Sequence, residues 1–137
     1  MNLVDKLLNV DAGKVNEKKE KNIKSKRLGE LMGLEEGVEI AIREIPAKRF
    51  NDILAKQYNS KGNFDYTKSF DAKALACAEA IVNPDLKSKE LQEHFACATP
   101  KDLVIKLFGA EINSISDEIT RLSGYQEVEE TDEEIKN

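Results

Sequence analysis

His94, Cys77 and Cys97 have the side-chain types from which most catalytic and metal sites are built. His94 is the only histidine and lies in LQEHFA, a helical segment with Leu91 and Phe95 facing inward. A catalytic histidine needs a nucleophile and an orienting group, and no motif in the chain supplies them. A zinc site needs further ligands at recognised spacings, and neither Cys97 nor a nearby carboxylate completes such a set. His94 therefore reads as a neutral residue at the surface or the core edge. Cys77 and Cys97 stand alone and read as two free thiols in a reducing compartment, with a disulfide as the alternative. Cys77 also falls on an apolar helical line, where cysteine behaves as a small hydrophobe. The seven glycines are scattered, so no phosphate-cradling loop is present. The chain is expected to hold no catalytic residue, no metal and no cofactor.

If the chain acts by binding, the elements that shape its surface matter most. The clearest lie between Asn83 and Tyr125. Ser88 can cap one helix and Thr99 the next, with Pro100 at N1, where its missing N–H costs nothing. Asp102, three residues after Thr99, makes a weak capping box. Leu103, Val104, Leu107 and Phe108 then share a face. After a break at Gly109, Ile112, Ile115, Ile119 and Leu122 recur at steps of three and four, the strongest helix signal in the chain. Gly124 suits a left-handed C′ position.

Earlier in the chain, residues 2–9 form a short amphipathic helix with Leu3, Val4, Leu7 and Leu8 on one side. A helix this short is marginal in water unless its apolar face is covered. It either docks on the core or serves as an arm that grips a partner. Lys14, Lys18, Lys19, Lys21, Lys24, Lys26 and Arg27 face only Glu17 and Glu20 across residues 14–27. That segment is a solvated linker into a strand or a contact for an acidic partner. It has no interleaved aromatic residue on which a base could stack.

Residues 23–28 form a possible strand with poor alternation, followed by a helical turn through Leu28, Leu31 and Met32 before Gly33. Val38, Ile40 and Ile42 alternate cleanly as a half-buried strand. A two-stranded pairing across residues 34–37 would have to rest on helices. Pro46 suits N1 of a helix carrying Phe50, Ile53 and Leu54, and residues 59–63 form a loop. Asp65 caps a predicted helix from Tyr66 to Val82, slim with alanines, with an inner line of Tyr66, Phe70, Ala74, Cys77 and Ile81. This is the expected central helix, stopped by Pro84.

At 137 residues the chain is expected to form one domain with a modest core. The predicted architecture is α+β and mostly helical, with five or six helices and one small antiparallel β-pair in residues 1–125. Residues 126–137 are expected to be disordered. They hold Glu127, Glu129, Glu130, Asp132, Glu133 and Glu134 against Lys136, and too little apolar surface to offset ordering entropy. That tail is a solubilising extension, or else a contact arm or a brake on self-association. No run of about 18 apolar residues exists, so no spanning helix is expected. The opening MNLVDKLLNV lacks the basic and long apolar regions of a secretory signal. The net charge of −5 argues against nucleic-acid binding, which rests on phosphate neutralisation.

Five segments in order carry a resemblance: NLVDKLLNVDAGKV, KSKRLGELMG, VEIAIREIPAKRF, HFACATPKDLVIKL preceded by PDL, and the isoleucine-spaced helix closing with LSGY. Together they resemble the XkdN-like tail assembly chaperones of phages and PBSX-like prophages, over nearly the whole chain. The chain departs from that family at Cys97, where a small residue such as glycine is expected. It departs again at Phe108-Gly109, where relatives have a longer apolar-Pro-Gly break. Both departures bear on the geometry between the last two helices.

The resemblance implies a chaperone of the host bacterial cytoplasm, absent from the mature virion. Its partner would be the tape measure protein, kept from aggregating until tail tube subunits polymerise around it. The tail tube protein and a frameshifted longer form of the chain are further implied partners, and a homo-oligomer stays open. No nucleic acid or membrane is implied, and no catalysis. A minor structural component of the tail is the alternative. The candidate partner-binding residues are Leu3 and Leu7 in the first helix, Lys18, Lys19 and Lys21 in the basic segment, and Glu129, Glu130 and Glu133 in the tail.

Overall fold

The computed structural model describes residues 2–125. The expected disorder of residues 126–137 therefore lies outside the described residues. In chain order the elements are α1 (Leu3–Leu8), a 3-10 turn (Ala12–Asn16), β1 (Glu20–Ser25), α2 (Lys26–Leu31), β2 (Val38–Arg43) and α3 (Ala47–Ala55). They continue with α4 (Tyr66–Ala80), β3 (Ile81–Asn83), α5 (Lys89–His94), α6 (Pro100–Phe108) and α7 (Glu111–Leu122). The class is α+β as expected. Among the described residues there are seven α-helices rather than five or six, and three strands rather than a pair.

The three strands form one antiparallel sheet in the order β1-β2-β3. β1 and β2 are in register from Glu20 opposite Arg43 to Ser25 opposite Val38. The third strand comes from the end of the predicted long helix. α4 stops at Ala80, and Ile81 is already extended at φ −74°, ψ 116°. Ile81 then pairs with Ile42, and Asn83 with Ala41. Ile81 and Val82 are β-branched, and a free sheet edge gave them a better use than a last helical turn. Pro84 is thus not what ends the helix. Tyr66, placed on the inner line by its spacing, is 85% exposed, because the first turn of α4 projects beyond the core. Pro46 sits one residue earlier than predicted, as the N-cap of α3.

Caps follow the sequence closely elsewhere. The side chains of Ser88, Thr99 and Asp65 accept from the N–H groups of Leu91, Asp102 and Thr67. α7 ends in a full Schellman motif: Tyr125 N–H donates to Thr120 O at 3.0 Å and Gly124 N–H to Arg121 O at 3.1 Å. Gly124 takes φ 90° there, a conformation that favours glycine. This C-terminus docks onto α3. The Tyr125 ring stacks on Phe50 at 4.7 Å, and its hydroxyl donates to Ala47 O at 3.2 Å.

α4 packs against α3, α6 and α7. Ala72, Ala74, Ala76, Cys77 and Ala80 are all buried, and their small side chains allow that close approach. The core adds Ile40 and Ile42 from β2, Phe50 and Ile53 from α3, Leu103, Val104, Leu107 and Phe108 from α6, and Ile112, Ile115 and Ile119 from α7.

Candidate functional site

Of the histidine and cysteine side chains, Cys77 lies on α4, while His94 ends α5 and Cys97 follows in the turn after it. His94 is exposed and contacts the neighbouring Phe95 ring edge-on at 4.9 Å. Cys77 is buried, and its Sγ lies 3.7 Å from Ile112 O. Burial pushes its thiol up to about 12, which removes the thiolate that nucleophilic or redox chemistry needs. Cys97 is half-buried, and both cysteines are free. Among the described residues, no group of three or more His, Cys, Asp or Glu side chains could hold a metal ion. Replacing both cysteines by alanine should keep the fold and cost about 1 kcal/mol of packing at Cys77. Chemical denaturation checks this, and a stoichiometric zinc ion copurifying with the wild type and absent from the double variant would contradict it.

The candidate partner-binding residues fall in three different settings. Leu3 and Leu7 lie on α1, whose N-cap Asn2 accepts from Asp5 N–H. None of its residues is buried, and Leu3 and Leu7 are 70% and 60% exposed. Of the two readings for this helix, docking on the core is thus not what the structure shows. Lys18 and Lys19 are exposed ahead of β1, where the Lys19 N–H donates to Glu44 Oε1 at 2.8 Å. Lys21 is partly committed: its Nζ donates to Glu118 Oε2 at 2.8 Å. That hydrogen bond and the charges of Lys21 and Arg121 hold the Glu118 carboxyl below its ordinary range. Glu129, Glu130 and Glu133 lie outside the described residues.

The rest of the basic segment is more structural than a solvated linker. Ser25 caps α2 by accepting from Leu28 N–H, and it donates to Glu111 Oε1 at 2.5 Å. Glu111 Oε2 accepts the N–H groups of Lys26 and Arg27 at 2.9 and 3.1 Å. Arg27 reaches the far end of α6, donating to Leu107 O and Lys106 O at 3.0 and 3.2 Å. A cation on the last carbonyls of a helix also meets its negative dipole end. Arg27 passes over Gly109, where an added Cβ would lie 3.4 Å from the guanidinium and φ is 54°. The missing apolar-Pro-Gly break is thus replaced by a glycine turn under an arginine.

Sequence reasoning missed an aromatic cluster between α3 and α4. Tyr58 and Phe64 meet edge-on at 5.8 Å, and Phe64 and Tyr66 at 5.0 Å. All three are exposed. A bridge between Tyr58 and Phe64 closes the loop, and Asn59 Oδ1 accepts from the N–H groups of Lys61 and Asn63. The polar spacing of residues 59–63 hid the pairing across them.

Among the described residues, none of the helices is long and apolar enough to cross a membrane. The family described as phage XkdN-like tail assembly chaperone protein, TAC, matches residues 4–136. The chain belongs to this family. As a member of the XkdN-like tail assembly chaperones it is assigned to phage tail assembly, in a family described as chaperones. Its fold is similar to the crystal structure of the protein yqbn, with a TM-score of 0.53 and 16% identity over 79% of this chain and 88% of that chain. At that identity the likeness speaks for the fold alone. No curated protein matches the chain.

Proposed function

We propose that this XkdN-like chaperone binds the tape measure protein of its own phage or prophage in the bacterial cytoplasm, and keeps it from aggregating until the tail tube forms around it. The observation that carries the reading is α1: an apolar face of Leu3, Val4, Leu7 and Leu8 with no buried residue. A six-residue helix gains little from its own hydrogen bonds, so its apolar face is the part with most to gain from a partner. A long chain with exposed amphipathic helices offers matching surface and is an aggregation hazard while uncovered. Binding and release suffice for such work, without nucleotide hydrolysis. The tail tube protein and a frameshifted longer form of the chain are further proposed partners in the same step.

The test is co-expression with the tape measure protein from the same genome. The wild-type chain should move most of that protein from the pellet to the soluble fraction and copurify with it. Leu3→Ser with Leu7→Ser should abolish this while the melting temperature stays unchanged, because neither side chain packs on the body. Equal solubility with and without the chaperone would refute the proposal. Finding the chain in purified particles at fixed stoichiometry would instead make it a structural part of the tail.

A further inference from the structure

β1 is an edge strand, because the sheet order β1-β2-β3 leaves its far side without a neighbouring strand. The Glu44 N–H donates to Lys19 O at 2.9 Å, which fixes the alternation along the pair. Lys21, Ile23 and Ser25 therefore turn their N–H and C=O groups toward β2, opposite Ile42, Ile40 and Val38. Glu20, Asn22 and Lys24 turn theirs outward, and those backbone groups have no hydrogen-bond partner among the described residues. All three residues are exposed, and their side chains share the outer face of the sheet. The opposite face is the one that α7 covers, where Lys21 and Ser25 meet Glu118 and Glu111. An open row of donors and acceptors of this kind is a template for one more strand.

The edge is complementary to itself. Laid antiparallel to a copy of itself about Asn22, it sets Glu20 opposite Lys24, Asn22 opposite Asn22, and Lys24 opposite Glu20. Each opposed pair exchanges two N–H···O bonds, and its side chains are neighbours on one face. Both charges are available. Arg43 holds Glu20 Oε1 at 2.7 Å, and Glu20 Oε2 accepts no hydrogen bond among the described residues. Lys24 enters no ion pair there, although Glu39 lies opposite it on β2. Lys21, on the other face, is already neutralised by Glu118. Lys18 would next meet Lys26, but Lys26 opens α2, where the chain has left the strand direction. Centring the pair on Glu20 or on Lys24 instead would set two like charges opposite each other, which is destabilising.

We propose that β1 pairs with β1 of a second copy of this chain, antiparallel about a two-fold axis at Asn22, so that the two sheets join into one. The contact uses the same residues of both copies, and it closes at a dimer because it consumes the free edge of each β1. Backbone hydrogen bonds supply the attachment, and the two Glu20–Lys24 pairs select the register. No residue of α1 takes part, so the proposal goes beyond the tape measure reading and does not depend on it.

Sedimentation of the full chain over a range of concentrations tests this. The mass should rise from that of the monomer to twice that value and no further. Glu20→Lys, and separately Lys24→Glu, each set like charges opposite each other twice, so each variant alone should stay monomeric. Mixed in equal amounts, the two variants should pair with each other, because each supplies the charge that the other lacks. Asn22→Pro removes an N–H that bonds nothing within the chain, a position where an edge strand tolerates proline. It should abolish pairing while the melting temperature of the dilute protein stays unchanged. Amide exchange at Glu20, Asn22 and Lys24 should slow as concentration rises, and exchange at Lys21 and Ile23, bonded to β2 in either state, should not. A wild-type chain that stays monomeric at every concentration would overturn the proposal. So would a dimer that survives Asn22→Pro, or single charge variants that remain monomeric when mixed.

Discussion

Ile115→Asp should unfold the protein. Ile115 is only 4% exposed and lies in the middle of α7, which packs on α4 and α6. Its neighbours at steps of three and four, Ile112 and Ile119, are fully buried. An aspartate there would remove the apolar contacts and bury a carboxylate in the apolar core. Core truncations of this size cost about 2–5 kcal/mol, and an uncompensated buried charge about 3–5 kcal/mol. A domain of this size has about 5–15 kcal/mol in total. Ile115→Val removes one methyl group and should cost only about 1 kcal/mol. Thermal unfolding followed by circular dichroism separates the cases: a folded baseline for the valine variant and none at 37 °C, or about that, for the aspartate variant. An aspartate variant that melts with the wild type would show this face to be open to solvent.

That helix was legible because local and tertiary signals agree. Its isoleucines sit at helical spacing, Gly124 supplies the left-handed cap, and the core lies where the spacing points. The caps at Ser88, Thr99 and Asp65 were legible for a related reason: each is satisfied by an N–H only two or three residues away. What failed was decided by distant partners. Ile81 and Val82 continue the α4 pattern well enough, and only the open edge of β2 turns them into a strand. Likewise the poor alternation blurs the bounds of the strand expected over residues 23–28, which runs over Glu20–Ser25 with its register set by β2 and not by its own apolar face. α5 ends in a left-handed residue that no sequence rule would choose: Ala96 takes φ 55°, with Cys97 N–H donating to Gln92 O at 2.8 Å. The small residue that the resemblance places at Cys97 is absent, and the left-handed conformation falls one residue earlier, on Ala96.

The binding surface was legible only in part. Exposure of α1 separates its two readings, which periodicity could not do. The basic segment looked uniform as a string of charges, yet its members differ in structure. Lys18 and Lys19 are exposed ahead of β1, Lys21 holds Glu118, and Arg27 belongs to the junction of α2, α6 and α7. Nothing in the spacing of lysines foretells that division, because Lys21 and Arg27 find acceptors 97 and 80 residues away in sequence.

Glu111→Ala should release that junction and cost about 2–3 kcal/mol. The first four N–H groups of a helix have no partner within it. In α2, Ser25 satisfies Leu28, and Glu111 satisfies Lys26 and Arg27 from another helix. Losing a helix cap costs about 1 kcal/mol, and a buried polar group left without its partner about 1–3 kcal/mol. Both apply, since Ser25 is only 1% exposed and its hydroxyl donates to the same carboxylate. Glu111→Gln keeps one acceptor oxygen but loses the charge, and should cost roughly half as much. The loss should be local before it is global: amide exchange at Lys26 and Arg27 should quicken far more than at Ile112 or Leu103. Combining Glu111→Ala with Ser25→Ala should give a coupling of about 1 kcal/mol, because the two side chains share one hydrogen-bond network. If Glu111→Ala changes stability by less than about 0.5 kcal/mol and leaves the Lys26 and Arg27 amides protected, the carboxylate is a surface ornament and another group caps α2.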